Sequence, residues 1–525
     1  FALRLSHLSR RPPLLRKEPR TSCPPASRLR ALRTTAHGRR CFAIRVGVMS
    51  AKRQSKGKAN GTSRKKSKIV EDDPPVLSEE DDEDDRRSDD DDVDELAEDN
   101  ASLRVKGPDH IGIVLLTGGT NWDLNGRKSM PKGCKSVGRN LYEPHLFGPL
   151  KDNRIRLVVS SCNSSHTIFI TEEGKALSLG RNEKGQLGVK DLLRRDIPTP
   201  IEGLPDHAIV NAATGRGHTL LLTDRGAVYS CGDNKNSQCG VKSKEPFVTT
   251  AMRVKYNGPP IVKVGCGAEF SILLDCKGTL YSFGLPEYGQ LGHNTNGEYI
   301  ERAGAINFAT VKLPKPIMTF VEKTKNKVEI LPKPEIRDFA CGTNHTVAID
   351  DHKKAYSWGF GGYGRLGHSE PKDELQPRLI KYFDVQRSGV KHVACGPAFS
   401  IAINEFGAVY LFGQMSSRGE ANMYPKPVQD LHGWNLRSIG TCSIGLVAAA
   451  DDSCIVWGSG TSSGELGLGE LKKSSAKPCE MKKLDGLYVE QVACGSAHTF
   501  LLARDLSEDD KDIIASMPEY KPVVA

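Results

Sequence analysis

Residues 266–284 read Cys266-Gly267-Ala268-Glu269-Phe270-Ser271-Ile272-Leu273-Leu274-Asp275-Cys276-Lys277-Gly278-Thr279-Leu280-Tyr281-Ser282-Phe283-Gly284, and Gly289-Gln290-Leu291-Gly292 follows. An apolar run leads into Asp275–Gly278, and a second run ends on aromatic-Gly. Two short strands joined by a tight turn with glycine form a hairpin, because glycine supplies the positive φ that such turns require. A glycine-bounded Gln-Leu element then precedes the next unit.

The unit recurs. Its head is a small residue or Cys, usually Gly, two further residues, and His or an aromatic: Cys162–His166, Thr214–His218, Cys266–Phe270, Cys341–His345, Cys395–Phe399, a degraded Thr441–Gly445, and Cys494–His498. Successive copies lie 52, 52, 75, 54, 46 and 53 residues apart. The Gly-Gln-Leu-Gly element returns as Gly185–Gly188, Gly289–Gly292, Gly364–Gly367 and Gly464–Gly467. A period near 50 built from strands predicts an all-β, seven-bladed β-propeller with about four strands per blade. The seventh copy runs out at Asp505, while an orphan half, Gly112–Gly119, stands in front. That front strand is expected to complete the last blade, closing the ring without a free edge.

One spacing is too long, and the excess lies between Gly292 and Ile336. Leu313-Pro314-Lys315-Pro316 and Leu331-Pro332-Lys333-Pro334 read as stiff arms around Ile317–Ile330, so residues 310–334 are expected to be an inserted hairpin. Its first limb, Ile317–Val321, is apolar and β-prone, and its tip is charged. Loops that the repeat does not need, but that carry apolar content and rigid flanks, are commonly functional. Phe320, Glu322, Lys323, Thr324, Lys325, Asn326 and Lys327 are the candidates for partner contact.

The formal charge of +10 conceals segregation, since residues 1–70 hold 20 Lys/Arg and one acid, and residues 71–100 hold 18 Asp/Glu and two Arg. Residues 1–48 have the Arg- and Ser-rich composition of a mitochondrial transit peptide, or are a stretch upstream of a start at Met49. Residues 49–100 read as a disordered basic-then-acidic tail. Lys52 and Arg53, followed by Arg64, Lys65, Lys66 and Lys68, have the spacing of a bipartite nuclear-import signal, implying an importin partner, and can also touch nucleic acid. Ser78 and Ser88 precede acidic triplets and suit an acid-directed kinase. The propeller occupies 101–505, and 506–525 form a C-terminal tail.

No run reaches the roughly 18 apolar residues of a membrane helix, so no membrane insertion is expected. The fourteen cysteines contain no Cys-x-x-Cys pair, which fits reduced thiols. The repeated Cys and His positions belong to separate blades, so no metal is assigned to them. Gly359-x-Gly361-x-x-Gly364 ends a strand and opens no helix, and no Walker-type loop occurs. No cofactor and no covalent catalysis are expected.

The repeat resembles that of the regulator of chromosome condensation family over about residues 105–505. Asn121–Leu124, Arg181–Lys184, Pro286–Tyr288, Trp358–Arg365 and Met423–Lys426 are more similar to the second vertebrate-type paralogue than to the founding Ran exchange factor. The resemblance implies regulation of small GTPases, Rac-like or Ral-like, possible guanine-nucleotide exchange through the inserted hairpin, and roles on chromosomes, centromeres, the spindle and midbody, and the cytoskeleton. Chromatin or nucleosomes and microtubules are further expected partners, and the alternative is a chromatin- or centromere-docking scaffold that leaves nucleotide state unchanged.

Overall fold

The computed structural model describes residues 104–133, 138–301, 304–325, 327–416, 419–459 and 461–523. The import, nucleic-acid and phosphorylation candidates between Lys52 and Ser88 lie outside the described residues, as does Asn326. Seven antiparallel sheets form the blades. From the innermost strand outward, blade one is Ile155–Val159, His166–Thr171, Ala176–Gly180 and Arg195–Pro200. Blade two is Ile209–Thr214, His218–Thr223, Val228–Asp233 and Phe247–Arg253, and blade three is Ile261–Cys266, Phe270–Asp275, Leu280–Gly284 and Val311–Pro316. Blade four is Ile336–Cys341, His345–Asp350, Ala355–Gly359 and Glu374–Leu379, and blade five is Val390–Cys395, Phe399–Asn404, Val409–Gly413 and Asn422–Pro427. Blade six is Leu436–Thr441, Gly445–Ala450, Ser453–Gly458 and Ser475–Glu480.

Blade seven joins the two ends of the ring. Val489–Cys494 and His498–Ala503 pair with Ile113–Gly119, which pairs with Asn140–Phe147. The expected front strand is therefore joined by a second one. The segment expected as a C-terminal tail is also ordered: helix α1, Glu508–Ala515, is capped by Ser507, and Glu519–Tyr520 pairs in parallel with Leu146 and Phe147. Tyr520 stacks on Phe147 at 6.3 Å between ring centroids.

The apolar residues group between blades. Among the described residues seven clusters each bridge two neighbours, such as Val447 and Leu466 of blade six with Val492 and Leu501 of blade seven. A second strand faces both adjacent blades, which is why all six of its residues are buried in every blade. Such strands read as continuous apolar runs without alternation.

The head histidines tie these interfaces together. His166 Nε2 lies 2.9 Å from Thr219 Oγ1, which donates to the Gln186 carbonyl at 2.7 Å. His218 reaches Ser271 at 3.1 Å and His345 reaches Ser400 at 2.9 Å, and each serine donates to a carbonyl of its neighbour blade. Since the hydroxyl hydrogen is committed, each ring must donate from Nε2, and burial, which disfavours the charged form, keeps it neutral. His498 reaches Thr167 of blade one at 2.9 Å, carrying the contact across the closure.

The outer edges are protected in a second repeated way. In register, Pro144, Pro198, Pro314, Pro377, Pro425 and Pro478 occupy the same place on six outer strands. Proline has no N–H to offer a foreign strand. Blade two has Ala251 there, and its N–H is taken by the Glu202 carbonyl at 2.9 Å.

Blade one breaks the head pattern. Ile155 to His166 is two residues longer than the equivalent stretch from Ile209 to His218, so Ser160 takes the position of Thr214, and Cys162-Asn163 is an insertion. The matching spacing of Cys162 and His166 had made Cys162 look like a regular copy. The inserted pair crosses to blade four, where Thr343 Oγ1 donates to Asn163 Oδ1 at 2.7 Å, and it plugs the centre of the ring.

Burial holds His166 and His498 down at about 3 and His218 at about 4, against an ordinary 6.5. Below pH 6.5 the unfolded chain then holds more protons than the folded one, so stability falls as the pH falls, by about 1.4 kcal/mol per pH unit for each such histidine until its folded value is reached. Urea midpoints measured from pH 7 to pH 4 are expected to drop accordingly. His498→Phe, which copies Phe270 and Phe399, should remove about one histidine's share of the slope; an unchanged slope would refute the assignment.

Candidate partner-binding site

Strand direction alternates along each blade, so first-to-second and third-to-fourth loops emerge at one end of the ring. The turns between second and third strands, and the connections between blades, emerge at the other. The regular pattern is exceeded in the sector of blades three and four, where two hairpins are added. The long spacing is thus shared by two excursions.

The first hairpin, Glu298–Ile300 with Ile306–Phe308, grows from the third-to-fourth loop of blade three. Its base is held by Ala309 N–H donating to the Gly297 carbonyl at 2.7 Å and by Ser237 and Thr310 hydroxyls 3.1 Å apart. Tyr299 (46% exposed), Ile300 (73%) and Ile306 (58%) project from it. This element was missed from the sequence, although Glu-Tyr-Ile and Ile-Asn-Phe around a glycine turn carried the signal.

The second hairpin lies on the connection from blade three to blade four. Val311–Pro316 is the outer strand of blade three, so Leu313–Pro316 is part of a blade and not an arm of the insertion; its Pro314 guards that blade's edge. The hairpin proper is Phe320–Lys323 with Val328–Leu331. Its first strand runs parallel to the outer strand of blade four, with Val321 opposite Arg378, extending that blade to six strands. Ile317, Phe320 and Val321 are buried, and Phe320 meets Tyr356 edge-to-face at 5.3 Å. The apolar limb expected to face a partner therefore anchors the hairpin instead, and Phe320 is not available for contact.

The charged candidates divide in the same way. Lys323 pairs with the buried Glu374, which is also held by Arg378 at 2.8 Å, and Arg378 in turn binds Glu370 at 2.8 Å. Hydrogen bonds from Arg378 and Lys372 hold the Glu370 carboxyl down at about 2. Glu322 pairs with Lys381 at 2.5 Å. Thr324 closes the turn by donating its N–H to the Lys327 carbonyl at 2.8 Å, and Thr324, Lys325 and Lys327 are exposed. Val328 (58%) and Ile330 (73%) are exposed beside them.

A different surface is basic. The third-to-fourth loop of blade seven, residues 120–139, exposes Lys128, Lys132 and Arg139, while its Trp122 packs edge-on against His498 at 5.0 Å. Among the described residues no group of three or more His, Cys, Asp or Glu is placed to hold a metal, and no helix is long and apolar enough to cross a membrane.

Lys323 and Lys325 stand two residues apart with opposite roles. Lys323→Ala leaves Glu374 short of a partner in a half-buried network and is expected to cost about 1–2 kcal/mol, whereas Lys325→Ala should stay within about 0.5 kcal/mol. Urea unfolding of both variants checks this, and equal losses would contradict the network.

Three comparisons place the chain. Residues 119–505 match the model described as RCC1-like domain. "Protein RCC2 homolog" of Danio rerio is 48% identical over 426 residues, covering 80% of this chain and 86% of that protein, and "Protein RCC2" of Homo sapiens is 48% identical over 426 residues, covering 80% and 81%. The crystal structure of Prp20p from Saccharomyces cerevisiae, reported together with its binding properties to Gsp1p and histones, aligns with TM-score 0.59 at 19% identity over 80% of this chain and 97% of that one. With a closed ring of seven blades behind these similarities, the chain belongs to the RCC1 family of β-propeller proteins.

Proposed function

We propose that the protein binds a small GTPase and regulates its nucleotide state, acting at chromatin and in mitosis. The observation that carries this reading is the concentration of both added hairpins in one sector of the ring. Exchange needs no nucleophile. A rigid body that stabilises the nucleotide-free form of a GTPase accelerates release by differential binding, because it occupies space that the phosphates and Mg²⁺ otherwise order. A closed propeller is such a body, and exposed Tyr299, Ile300 and Ile306 at one end, with Thr324, Lys325 and Lys327 on the flank, are the contacts it offers. Family membership supports GTPase and chromatin roles together, and Ral-like and Rac-like proteins are the partners proposed. A protein that holds the GTPase without releasing nucleotide would restrain signalling instead.

The test is release of fluorescent GDP from purified Ral-like, Rac-like and Ran-like GTPases, with variants Tyr299→Ser/Ile300→Ser and Thr324→Ala/Lys325→Ala/Lys327→Ala. Accelerated release from one GTPase, reduced about tenfold or more by either variant, is the expected result. Binding without release would make the protein a sequestering regulator, and neither binding nor release would remove the GTPase reading.

A chromatin-docking scaffold is the second reading, favoured by the exposed Lys128, Lys132 and Arg139 on blade seven. With the basic segment Lys52–Lys68, which would also serve importin-dependent entry into the nucleus, it gives two cationic surfaces for DNA phosphates. Nucleosome affinity should then fall steeply with salt, and each lysine removed should lower the slope of log K against log salt by about 0.9. A slope unchanged in Lys128→Ala/Lys132→Ala would exclude the blade-seven loop.

A further inference from the structure

We infer that Val328–Leu331 is a docking edge that accepts, as an added β-strand, the edge strand of the GTPase's own sheet. The inference rests on the GTPase reading above and names how that partner is held.

The argument starts from how the other edges are treated. All seven blades neutralise the same outward position, six with proline and one with an occupied N–H. The inserted hairpin then covers the guarded edge of blade four and substitutes an edge of its own, Val328-Glu329-Ile330-Leu331, with no proline before Pro332. This strand is the last of its six-stranded sheet. An edge left open beside seven closed ones is a liability unless it is used.

The register says which groups are open. Thr324 and Lys327 form a hydrogen-bonded pair at the turn, and such pairs alternate along an antiparallel ladder. Glu322 with Glu329 is therefore hydrogen-bonded, whereas Lys323 with Val328 and Val321 with Ile330 are not. The N–H and C=O of Val328 and Ile330 accordingly point away from the hairpin. Their side chains are exposed as well, at 58% and 73%, so one stretch offers both backbone ladder groups and two apolar contacts at alternate positions. The exposed Lys325 flanks it with positive charge, while Lys327 is paired with Glu329 of the strand itself at 3.0 Å.

The occupant follows from shape. A strand is recognised at such an edge by main-chain bonds, with alternate side chains giving specificity. A GTPase of the P-loop class is built on an open α/β sheet, and an open sheet ends in an edge strand of its own. Two unprotected edges can join into one continuous sheet. The partner strand best suited places apolar residues opposite Val328 and Ile330, and an acidic residue where it passes Lys325.

Proline at position 330 tests this directly. Ile330→Pro deletes an outward N–H and none of the hairpin's own bonds, which is what the blades do at their edges; Ile330→Thr keeps the N–H and the β-branch. Affinity of the full chain for Ral-like, Rac-like and Ran-like GTPases is measured by titration, and backbone protection by hydrogen exchange. The expected result is a loss of about tenfold or more for Ile330→Pro, a small change for Ile330→Thr, and new protection of the Val328 and Ile330 amides in the complex. A wild-type chain that binds none of the GTPases would bring down the GTPase reading itself. Binding by the wild type that Ile330→Pro leaves intact would overturn the edge assignment alone. So would a wild-type homodimer in sedimentation that the proline variant abolishes, since a second copy would then be the occupant.

Discussion

Everything in this molecule depends on the ladder between Ile113–Gly119 and His498–Ala503. A propeller has no central core that survives the loss of a blade. Each of its seven apolar clusters exists only because two neighbours press on it, and the cluster holding Leu115, Leu501 and Val447 lies at the seam. If the front strand did not find the last blade, Leu501 and Val492 would face water and two sheet edges would open. The pairing spans nearly the whole described chain, so the loop-closure entropy must be overcome before the long-range contacts form. The C-terminal residues reinforce the same seam: α1 packs Ile514 onto the cluster, and Tyr520 covers Phe147.

Polar interactions repeat around the ring with the same logic. A neutral histidine on one blade donates to a hydroxyl on the next, which passes its own proton to a carbonyl. This pairs the buried Nε2 and hydroxyl groups without a charge, whose burial would be far costlier. Where Phe399 replaces the histidine, blade six offers Leu446 in place of a hydroxyl, so donor and acceptor have been lost together. Phe270 is matched less completely, since Thr346 keeps its hydroxyl and turns it to Cys341 Sγ at 4.0 Å.

The ring was legible in the sequence because its interactions are periodic. The head motifs, the glycine turns and the orphan front strand all follow from contacts that recur about every 50 residues, so counting them returned the blades and the closure. Spacing alone misled where a loop changed length without changing its motif. Cys162 and His166 keep the regular separation, yet Cys162-Asn163 is the insertion that fills the centre. One Gln-Leu element escaped notice as Ser237-Gln238-Cys239-Gly240, because Ser237 takes a φ of 61° in place of glycine. Proline at the outer edges was visible residue by residue but has meaning only once register is known. In the inserted hairpin, composition could not separate Lys323 from Lys325; which lysine faces Glu374 is decided by a parallel pairing between strands some fifty residues apart.

A departure from the repeat has to be weighed by whether the fold needs it. The Cys162-Asn163 plug is consumed internally, since Thr343 and the neighbouring loops take its polar groups. Blade four's Gly362-Tyr363-Gly364 turn departs too: Arg365 replaces the Gln that in blades one to three accepts an N–H from two residues before it, and its guanidinium stacks on Phe360 at 4.5 Å and on Tyr363, whose φ is 63°. That arrangement is also closed upon itself, with Arg365 donating to the Gly362 and Pro397 carbonyls. The two hairpins of blades three and four differ, because their distal residues satisfy nothing in the ring, and the second is anchored by the buried Ile317, Phe320 and Val321. Stabilising Phe320 and Lys323 at the base costs the outer strand its freedom, and the return on that ordering is an exposed, pre-formed edge. A partner that adds to it meets a surface whose conformational entropy has already been spent.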